Sequence, residues 1–378
     1  MKLTCSQEAL SRGLQLVGRG VSSTAASTLP VLNNILLATD DGRLRLSATD
    51  LKVGITCWIP AMIFQDGAIT LPARLLTEFV NSLPADQVEI TTADTGVRAN
   101  VRCARISSNI SGIDADEFPL IPSIPDEPSA IAPAALLRSM IAQVAFAASS
   151  DSTRGALTGV STTFSGDMVT MVATDGYRLA MREAKLAAPC AADFTVLIPA
   201  KTVTELGRIL PEDDSPVAIT VTPNRSQMLF HQENVDFLAT LLNENFINYK
   251  QFVRKDYKTR VVTITANLQK AVKIAGFFAR DGASMISLNI EPDADGGGVV
   301  TVSANSQDIG DNANVVDAMV EGAGMQIGFN SKYVADALAA VNSNQVALEL
   351  LGPTQAGLLR PTDGVEYTHV IMPVNVPR

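Results

Sequence analysis

Apolar side chains recur at helical spacing in six stretches of the chain, two in each third. In the first stretch Leu10, Leu14 and Val17 fall at positions i, i+4 and i+7, which places them on one face of a helix. The third and fifth stretches repeat this pattern with Leu136, Leu137, Met140, Ile141 and Val144, and with Leu268, Val272 and Ala275. The spacing predicts six amphipathic helices, within residues 6–20, 72–82, 132–149, 199–210, 265–280 and 330–342.

Between these helices the apolar residues alternate with polar ones, as in Leu44 and Leu46 or Met168, Thr170 and Val172. Alternation with a period of two predicts β-strands that bury one face. The alternating runs are bounded by sequences with good turn chemistry, which are Asp40-Asp41-Gly42, Ser165-Gly166-Asp167 and Asp293-Ala294-Asp295-Gly296. Helices and strands therefore share each third of the chain, which indicates an α+β fold.

The same motifs return three times along the chain. Leu71-Pro72-Ala73-Arg74 reappears 127 residues later as Ile198-Pro199-Ala200-Lys201, and more loosely after another 129 residues as Ile327-Gly328-Phe329-Asn330. Ala48-Thr49-Asp50 returns as Ala173-Thr174-Asp175 and weakly as Ser303-Ala304-Asn305, and Glu117-Phe118-Pro119 returns as Asn245-Phe246-Ile247. A period near 126 residues exceeds that of solenoid units, so it indicates triplicated domains. We predict domains at 1–125, 129–253 and 256–378, with prolines at 119, 122, 125, 128 and 133 marking the first linker.

Composition excludes several classes of protein. Of 378 residues, 47% are apolar and 18% are charged, which is enough apolar side chain for folded domains and argues against disorder. The sequence contains no apolar run of about 20 residues and does not begin with a signal peptide, so we predict a cytoplasmic protein without a membrane span. Four scattered cysteines and two histidines disfavour metal sites and histidine-dependent catalysis, and we predict no cofactor.

The charge of the chain is unevenly distributed. Its net charge is −10, which argues against a generally basic surface for nucleic acid. The six helix windows nevertheless hold ten basic and four acidic residues, so they carry +6 and the rest of the chain carries −16. A positive helical surface suits a polyanion whose phosphates are contacted without reading bases. The alternative at this point is that these are ordinary solvated helix faces.

Several motifs together identify a resemblance to a known family. They are Thr28-Leu29-Pro30-Val31-Leu32, Ala48-Thr49-Asp50-Leu51, Ala173-Thr174-Asp175-Gly176-Tyr177-Arg178-Leu179-Ala180, Ile327-Gly328-Phe329-Asn330 and Val370-Ile371-Met372-Pro373-Val374. In this order, and over its whole length, the chain resembles the bacterial sliding clamps, the β subunits of DNA polymerase III. The resemblance implies three clamp domains, each with two helices packed on antiparallel sheets. It also implies a head-to-tail homodimeric ring that encircles double-stranded DNA without reading its sequence and does no chemistry.

The resemblance also implies partners and a peptide pocket between the second and third domains. The partners are the α subunit of the replicative polymerase, the clamp loader, and repair and translesion polymerases. The matched pocket residues are Leu157, Thr174, Gly176, Tyr177, Arg178, Leu179, Ile247, Phe252, Val370, Ile371, Met372, Pro373 and Val374. Ile247 and Phe252 depart from the usual residues of the pocket wall, and the tail Asn375-Val376-Pro377-Arg378 is longer than usual, so the peptide preference stays open.

Two further sets of residues follow from the resemblance. The residues predicted to face DNA are Arg74, Arg138, Arg154, Lys201, Arg208, Lys270, Lys273 and Lys332. Ring closure is assigned to Phe277 and Phe278 at a helix end, opposite a first-domain surface near Ile106 on an edge strand. The loop before Thr28 has no basic residue where relatives often carry one.

Two other functions remain to be compared with the clamp. Asp50 and Asp175 could act as paired carboxylates of an enzyme, although their equivalent places in successive repeats favour a role in turns. A scaffold that binds peptides without DNA would keep the site around Met372 and lose the role of the helices. Loading on DNA separates these functions.

Overall fold

The computed structural model describes residues 1–21, 29–92, 97–122, 127–279, 284–306 and 310–374. All six predicted helices are confirmed. They are α1 Gln7–Val17, α2 Ala73–Asn81, α3 Ala134–Val144, α4 Ala200–Ile209, α5 Thr265–Gly276 and α6 Ser331–Ala340. The helices are shorter than the sequence windows, since short 3-10 turns follow α1 and α3. The windows start the second and fourth helices at Pro72 and Pro199, but each proline is the last residue of a strand and directly precedes its helix.

The apolar faces of the helices are buried as their spacing predicts. Leu10, Leu14 and Val17 of α1 have no exposed surface, and Leu268 and Val272 of α5 are almost fully covered. Each such side chain stabilises the fold by roughly 1.5–3 kcal/mol. The Oγ of Ser6 accepts the N–H of Ala9 at the start of α1, so this helix begins with a side-chain cap.

Each repeat runs in the order strand, helix, strands, helix, strands. The first copy contains β1 Lys2–Ser6, β2 Asn34–Asp40, β3 Arg43–Thr49, β4 Val53–Pro60, β5 Met62–Gln65, β6 Ala68–Pro72, β7 Gln87–Thr92, β8 Arg98–Cys103 and β9 Ile106–Ser111. The second contains β10 Ala130–Pro133, β11 Gly159–Ser165, β12 Met168–Thr174, β13 Arg178–Lys185, β14 Phe194–Pro199, β15 Pro216–Val221, β16 Gln227–Gln232 and β17 Val235–Thr240. The third contains β18 Thr259–Ile264, β19 Met285–Pro292, β20 Gly297–Ser306, β21 Gly310–Gly322, β22 Met325–Asn330, β23 Gln345–Leu350, β24 Gly357–Pro361 and β25 Tyr367–Ile371.

The first of two compact units comprises Met1–Leu136 and Arg208–Leu241. It holds a sheet in the order β5-β1-β7-β8-β9 and a larger one in the order β10-β15-β16-β17-β4-β3-β2-β6. The larger sheet joins strands of two repeats through the antiparallel pair β17 and β4, where Phe237 lies opposite Ile55. Pro133 ends β10 at the edge of this sheet, where a missing N–H is tolerated.

The second unit comprises Leu137–Gly207 and Leu242–Arg378. Its sheet runs in the order β14-β11-β12-β13-β25-β24-β23-β18-β21-β20-β19-β22, and strands of the second and third repeats meet at β13 and β25. The compact units therefore do not follow the repeats, because strands of neighbouring copies hydrogen-bond into common sheets. The boundaries at 1–125, 129–253 and 256–378 stay a prediction from the repeated motifs.

The Thr-Asp motif forms the same turn in the first two copies. Thr49 Oγ1 donates to the carbonyl of Val53 and accepts the N–H of Leu51, and Thr174 Oγ1 does the same with Arg178 and Gly176. The third residue of each turn has a positive φ, 73° at Leu51 and 90° at Gly176. The sequence repeat is thus also a repeat of hydrogen bonds and backbone conformation.

Candidate peptide-binding site and helix surfaces

The turn of residues 174–178 is fixed by the carboxylate of Asp175. Its Oδ1 accepts the N–H groups of Tyr177 at 2.9 Å and Arg178 at 3.0 Å. Gly176 supplies the positive φ that glycine adopts without strain. The side chain of Tyr177 is consequently presented to solvent and is 59% exposed. A large exposed aromatic group on an ordered turn is a typical contact for a partner.

Arg178 braces this turn internally and anchors it to two other parts of the second unit. Its side chain is 8% exposed. Nε donates to Asp175 Oδ2 at 3.1 Å, Nη1 to Asp336 Oδ2 at 2.6 Å and Nη2 to the carbonyl oxygen of Phe146 at 2.9 Å. The guanidinium also lies over the rings of Phe146 and Tyr333, at 5.3 and 4.6 Å from their centroids.

Strand β25 lies beside this turn and brings the predicted C-terminal residues to it. Ile371 is the register partner of Arg178, and Val370 that of Leu179. Beyond the strand, the N–H of Met372 donates to the carbonyl oxygen of Tyr177 at 2.8 Å. Met372 is 44% exposed, so two apolar side chains stand on adjacent, hydrogen-bonded backbone. The candidate peptide site consists of Tyr177, Met372 and a buried apolar cluster that includes Leu179 and Val370.

Side chains of four neighbouring strands, β12, β13, β25 and β24, form a buried apolar cluster. It consists of Val172, Leu179, Leu358 and Val370, with Met181, Phe246, Tyr249, Val253 and Ala356 packed against it. The segment that supplies Phe246, Tyr249 and Val253 also carries Ile247 and Phe252, whose side chains are 38% and 40% exposed. The wall of the site that departs from the family pattern is therefore the segment that presents additional apolar surface to solvent.

Arg154 lies beside the candidate peptide site, although the sequence assigns it to DNA. It belongs to the 3-10 segment Ser152–Thr158, which also contains the half-buried Leu157. Its Nη1 donates to the carbonyl oxygen of Asp175 at 2.6 Å, and a Cβ added at Gly176 would come within 3.2 Å of its Nη2. The side chain is exposed, so a cationic group borders the turn that carries Tyr177.

The other predicted residues divide between the site and its support. Thr174, Leu179, Val370 and Ile371 are buried and support it. Val374 turns toward β22, where its N–H donates to the carbonyl oxygen of Gly328 at 2.9 Å. The tail 375–378 lies outside the described residues. Sequence reasoning missed the supporting residues Phe146, Phe246, Tyr249, Val253, Tyr333, Asp336 and Leu358, which come from separate segments that no motif connects.

A neutral aromatic layer lies beneath Arg178. His369 is fully buried, and its ring stacks on Phe146 with 5.6 Å between centroids. Burial, with a smaller contribution from the charge of Arg178, lowers the pKa of His369 to about 3. Burial likewise raises the pKa of Tyr367, whose hydroxyl lies 3.2 Å from Nδ1 of His369. Both groups are therefore uncharged near neutral pH.

The positive charge of the helices is smaller than the windows suggest and lies in the second and third copies. Within the observed helix bounds, eight basic and four acidic residues give a net +4, because Arg19 follows α1 and Arg280 lies outside the described residues. In the first copy Arg12 pairs with Glu8 at 3.0 Å and Arg74 with Glu78 at 2.8 Å, so α1 and α2 are neutral. Lys201, Arg208, Lys270, Lys273 and Lys332 are exposed, and Arg138 is partly exposed.

The residues assigned to ring closure are accessible in the single chain. Phe277 caps the C-terminal end of α5 and is 52% exposed, and Phe278 is partly buried. Ile106 is 41% exposed and begins β9, the edge strand of its sheet, as predicted.

The carboxylates of the enzyme hypothesis are engaged in turns. Asp50 Oδ1 accepts the N–H groups of Lys52 and Val53, just as Asp175 does with Tyr177 and Arg178. Over the described ranges, no three His, Cys, Asp or Glu side chains form a group that could hold a metal ion. Among the helices described, none has the length and apolar character needed to cross a membrane.

Three family models of the DNA polymerase III β subunit match consecutive parts of the chain. The N-terminal domain matches residues 1–122, the central domain 132–248 and the C-terminal domain 250–375. A β sliding clamp of Synechocystis sp. is 32% identical over 394 aligned residues that cover all of both chains.

Solved structures agree with these matches. The DNA polymerase sliding clamp of Bacillus subtilis has a TM-score of 0.93 at 31% identity, and a Pseudomonas aeruginosa clamp bound to griselimycin has 0.92 at 27%. Each of these two alignments covers 100% of this chain and 100% of the solved chain. These matches place the chain in the class of proteins that have the clamp fold, built from three repeated domains. The chain belongs to the DNA polymerase III β-subunit family, the bacterial sliding clamps that act as processivity factors in DNA replication, which confirms the sequence prediction.

Proposed function

We propose that two copies of this chain close head to tail around double-stranded DNA and tether the replicative polymerase to it. The full-length match to three consecutive β-subunit domains carries this proposal. In this assembly the chain has no catalytic residues and needs no cofactor, and it works in the cytoplasm at the nucleoid. The domains correspond to residues 1–125, 129–253 and 256–378.

The exposed basic residues of α3 to α6 support contact with the DNA backbone. Lysine and arginine neutralise phosphates independently of base sequence, which is what a sliding protein requires. The net charge of −10 disfavours adhesion of DNA to the remaining surface. Topological enclosure therefore supplies retention, and the basic helices supply weak and exchangeable contacts.

The candidate peptide site supports binding of short partner segments. Tyr177, Met372, Ile247 and Phe252 present apolar surface around a buried cluster, and the Arg154 guanidinium can orient a polar or acidic group. Its occupants are peptides of the polymerase α subunit, the clamp loader, and repair and translesion polymerases. Griselimycin, which a related Pseudomonas aeruginosa clamp binds, is the small ligand that we assign to this site. A moderate peptide affinity suffices, because enclosure of DNA raises the effective concentration of the polymerase.

Two open sheet edges support ring closure. In the first unit β9 is an edge strand, flanked by the exposed Arg102 and Arg105. In the second unit, within the described residues, β18 pairs with β21 only at residues 319–322, so the earlier part of β21 pairs with β20 alone. Asp311 lies on that open part. Contact between two unlike surfaces closes as a two-fold ring and covers edges that would otherwise aggregate.

Loading on DNA tests this function against the alternatives. The protein is loaded with a clamp loader onto nicked circular DNA, which is then linearised. We expect retention on the circle and release after linearisation, because only a ring can slide off an end. Retention on the linear DNA would indicate an adhesive binder, and failure to load would favour the peptide-only scaffold; either result contradicts the proposal.

A further inference from the structure

The candidate peptide site is tied to α6 by an ion pair that bridges distant parts of the sequence. Asp336 lies in the middle of α6, and its Oδ2 accepts Nη1 of Arg178 at 2.6 Å. Tyr333, three residues earlier on the same helix face, lies beneath the same guanidinium. We propose that Asp336, together with Tyr333, is a positioning residue that acts through Arg178 to hold the turn 174–178 in its peptide-binding conformation. This inference rests on the proposed peptide binding.

The contacts of Arg178 show why its role is mechanical. A donor from each of its three nitrogens is used inside the protein, on Asp175, Asp336 and the carbonyl of Phe146. With 8% of the side chain exposed, little of the group can reach a peptide. The exposed cation at the site is instead Arg154. Arg178 therefore fixes where the turn stands, and the turn presents Tyr177.

Asp336 completes a closed set of contacts around the turn. Asp175 binds Arg178 through both carboxylate oxygens, Oδ1 to the backbone N–H and Oδ2 to Nε. That local pair fixes the shape of the turn but not its orientation in the unit. The contact with Asp336 contributes to this orientation beside the contact with the Phe146 carbonyl, because α6 is packed into the second unit through the buried Val334, Ala337 and Leu338.

The side of the site that carries Met372 is held by β22, the strand that leads into α6. Beyond Met372, the N–H of Val374 donates to the carbonyl oxygen of Gly328 in β22, two residues before Asn330. Asn330 accepts the N–H groups of Lys332 and Tyr333 and so caps α6. The turn that carries Tyr177 is therefore attached to α6, and the tail that carries Met372 is attached to β22, the strand that leads into α6.

Replacing Asp336 tests the inference on the full-length protein. Asp336→Asn keeps the shape of the side chain and removes its charge. Griselimycin is the probe, titrated by calorimetry. We expect the Kd of Asp336→Asn to rise about ten-fold, or about 1.4 kcal/mol, and Asp336→Glu to recover part of the affinity. In the Arg178→Gln background the Asp336→Asn change should have no further effect, because the two residues act in series.

A matched variant separates positioning from general stability. Asp236→Asn removes the charge from the contact of Asp236 Oδ1 with His231 Nδ1, which has the same 2.6 Å length but lies in the first unit. It should change thermal stability without changing the Kd for griselimycin. A lowered Tm of Asp336→Asn with an unchanged Kd would overturn the positioning role.

Three further outcomes are decisive. If Asp336→Asn does not fold, Tyr333→Leu removes the ring beneath the guanidinium and retains a helix-forming residue, and an unchanged Kd for that variant also refutes the inference. If the wild-type protein does not bind griselimycin or a peptide from the polymerase α subunit, the proposed peptide site fails and the inference fails with it. Normal wild-type binding with unaffected variants overturns the inference alone.

Discussion

Single side chains decide how the Thr-Asp turn serves different purposes in the repeats. In the first copy Leu51 occupies the positive-φ position, which a branched side chain adopts only at some cost. In the second copy Gly176 occupies it without strain, and it leaves room for Arg154, whose Nη2 would meet an added Cβ at 3.2 Å. The glycine thus adopts this conformation without strain and also gives the end of the Arg154 side chain more room beside the candidate peptide site.

The buried His369 makes the stability of the second unit depend on pH. Its pKa is about 3 in the folded protein and near 6.5 in the unfolded chain, so between these values the unfolded chain binds the additional proton. Stability from this group is complete above pH 6.5 and declines as the pH falls toward 3. Between pH 7 and pH 5 we expect a decrease of about 2 kcal/mol in the free energy of unfolding.

Comparison with His369→Gln isolates that contribution. Urea unfolding of both proteins at pH 7 and pH 5 should show a smaller pH dependence in the variant, since glutamine does not titrate. His231 is present in both proteins and cancels from the difference. Equal pH dependence in the two proteins would mean that His369 is not held neutral by burial.

At this scale the sequence identifies the residues of the turn but not their tasks. The Ala-Thr-Asp-Gly-Tyr-Arg motif marks residues 173–178 as important, and the repeat with residues 48–50 predicts a turn. The sequence assigns Arg178 to the pocket and Arg154 to DNA, but it does not show which of the two guanidinium groups is buried. Which guanidinium is buried depends on Phe146, Tyr333 and Asp336, which approach Arg178 only in three dimensions.

The helices, as elements, were the most predictable part of the fold. Their apolar spacing, as in Leu10, Leu14 and Val17, depends on local sequence. The predicted ends of all six helices therefore lie within a few residues of the observed ends. Sheet order could not be predicted in this way. The pairing of β17 with β4 and of β13 with β25 brings together strands more than 170 residues apart, and each strand has the same alternation as its neighbours.

The charges of the helices predict that the three repeats contribute unequally to contact with DNA. The charge of Arg74 is balanced by Glu78 in the same helix, although the side chain is 91% exposed. Lys270 and Lys273 are exposed on α5, which contains no acidic residue. Lysines without such a partner keep their full charge for phosphates.

Substitution on α5 and α2 checks this expectation. For Lys270→Ala combined with Lys273→Ala, the slope of log affinity for a short DNA duplex against log salt should fall by up to about 1.8, or about 0.9 for each phosphate that is no longer neutralised. Arg74→Ala should change the slope much less. A fall for Arg74→Ala as large as that for the α5 double variant would contradict the role given to intrahelical pairing.

For the whole molecule, the central question is how an acidic chain holds a polyanion. The net charge of −10 and the modest +4 of the helices together exclude strong adhesion as the means of retention. In the proposed assembly, closure of the ring is then the means by which DNA is retained. The closure surfaces should therefore control retention on DNA more strongly than any single basic residue does.

The paired phenylalanines at the end of α5 provide the direct test of closure. Phe277 is 52% exposed in the single chain, an apolar surface that association would cover. Truncating such anchors costs roughly 2 kcal/mol each, and a head-to-tail dimer has two identical interfaces, so Phe277→Ala with Phe278→Ala should weaken the dimer about a million-fold. Light scattering should then report the 40.0 kDa chain in place of twice that mass.

Phe252→Ala is the matched control for this variant, because Phe252 is similarly exposed, at 40%, but lies at the candidate peptide site. It should retain the dimer mass and bind griselimycin more weakly. The α5 double variant should lose the dimer mass and bind griselimycin as the wild-type protein does. In the loading assay the double variant should fail to remain on circular DNA even with its basic helices intact. A dimer that survives both phenylalanine substitutions would place the closure surface elsewhere on the chain.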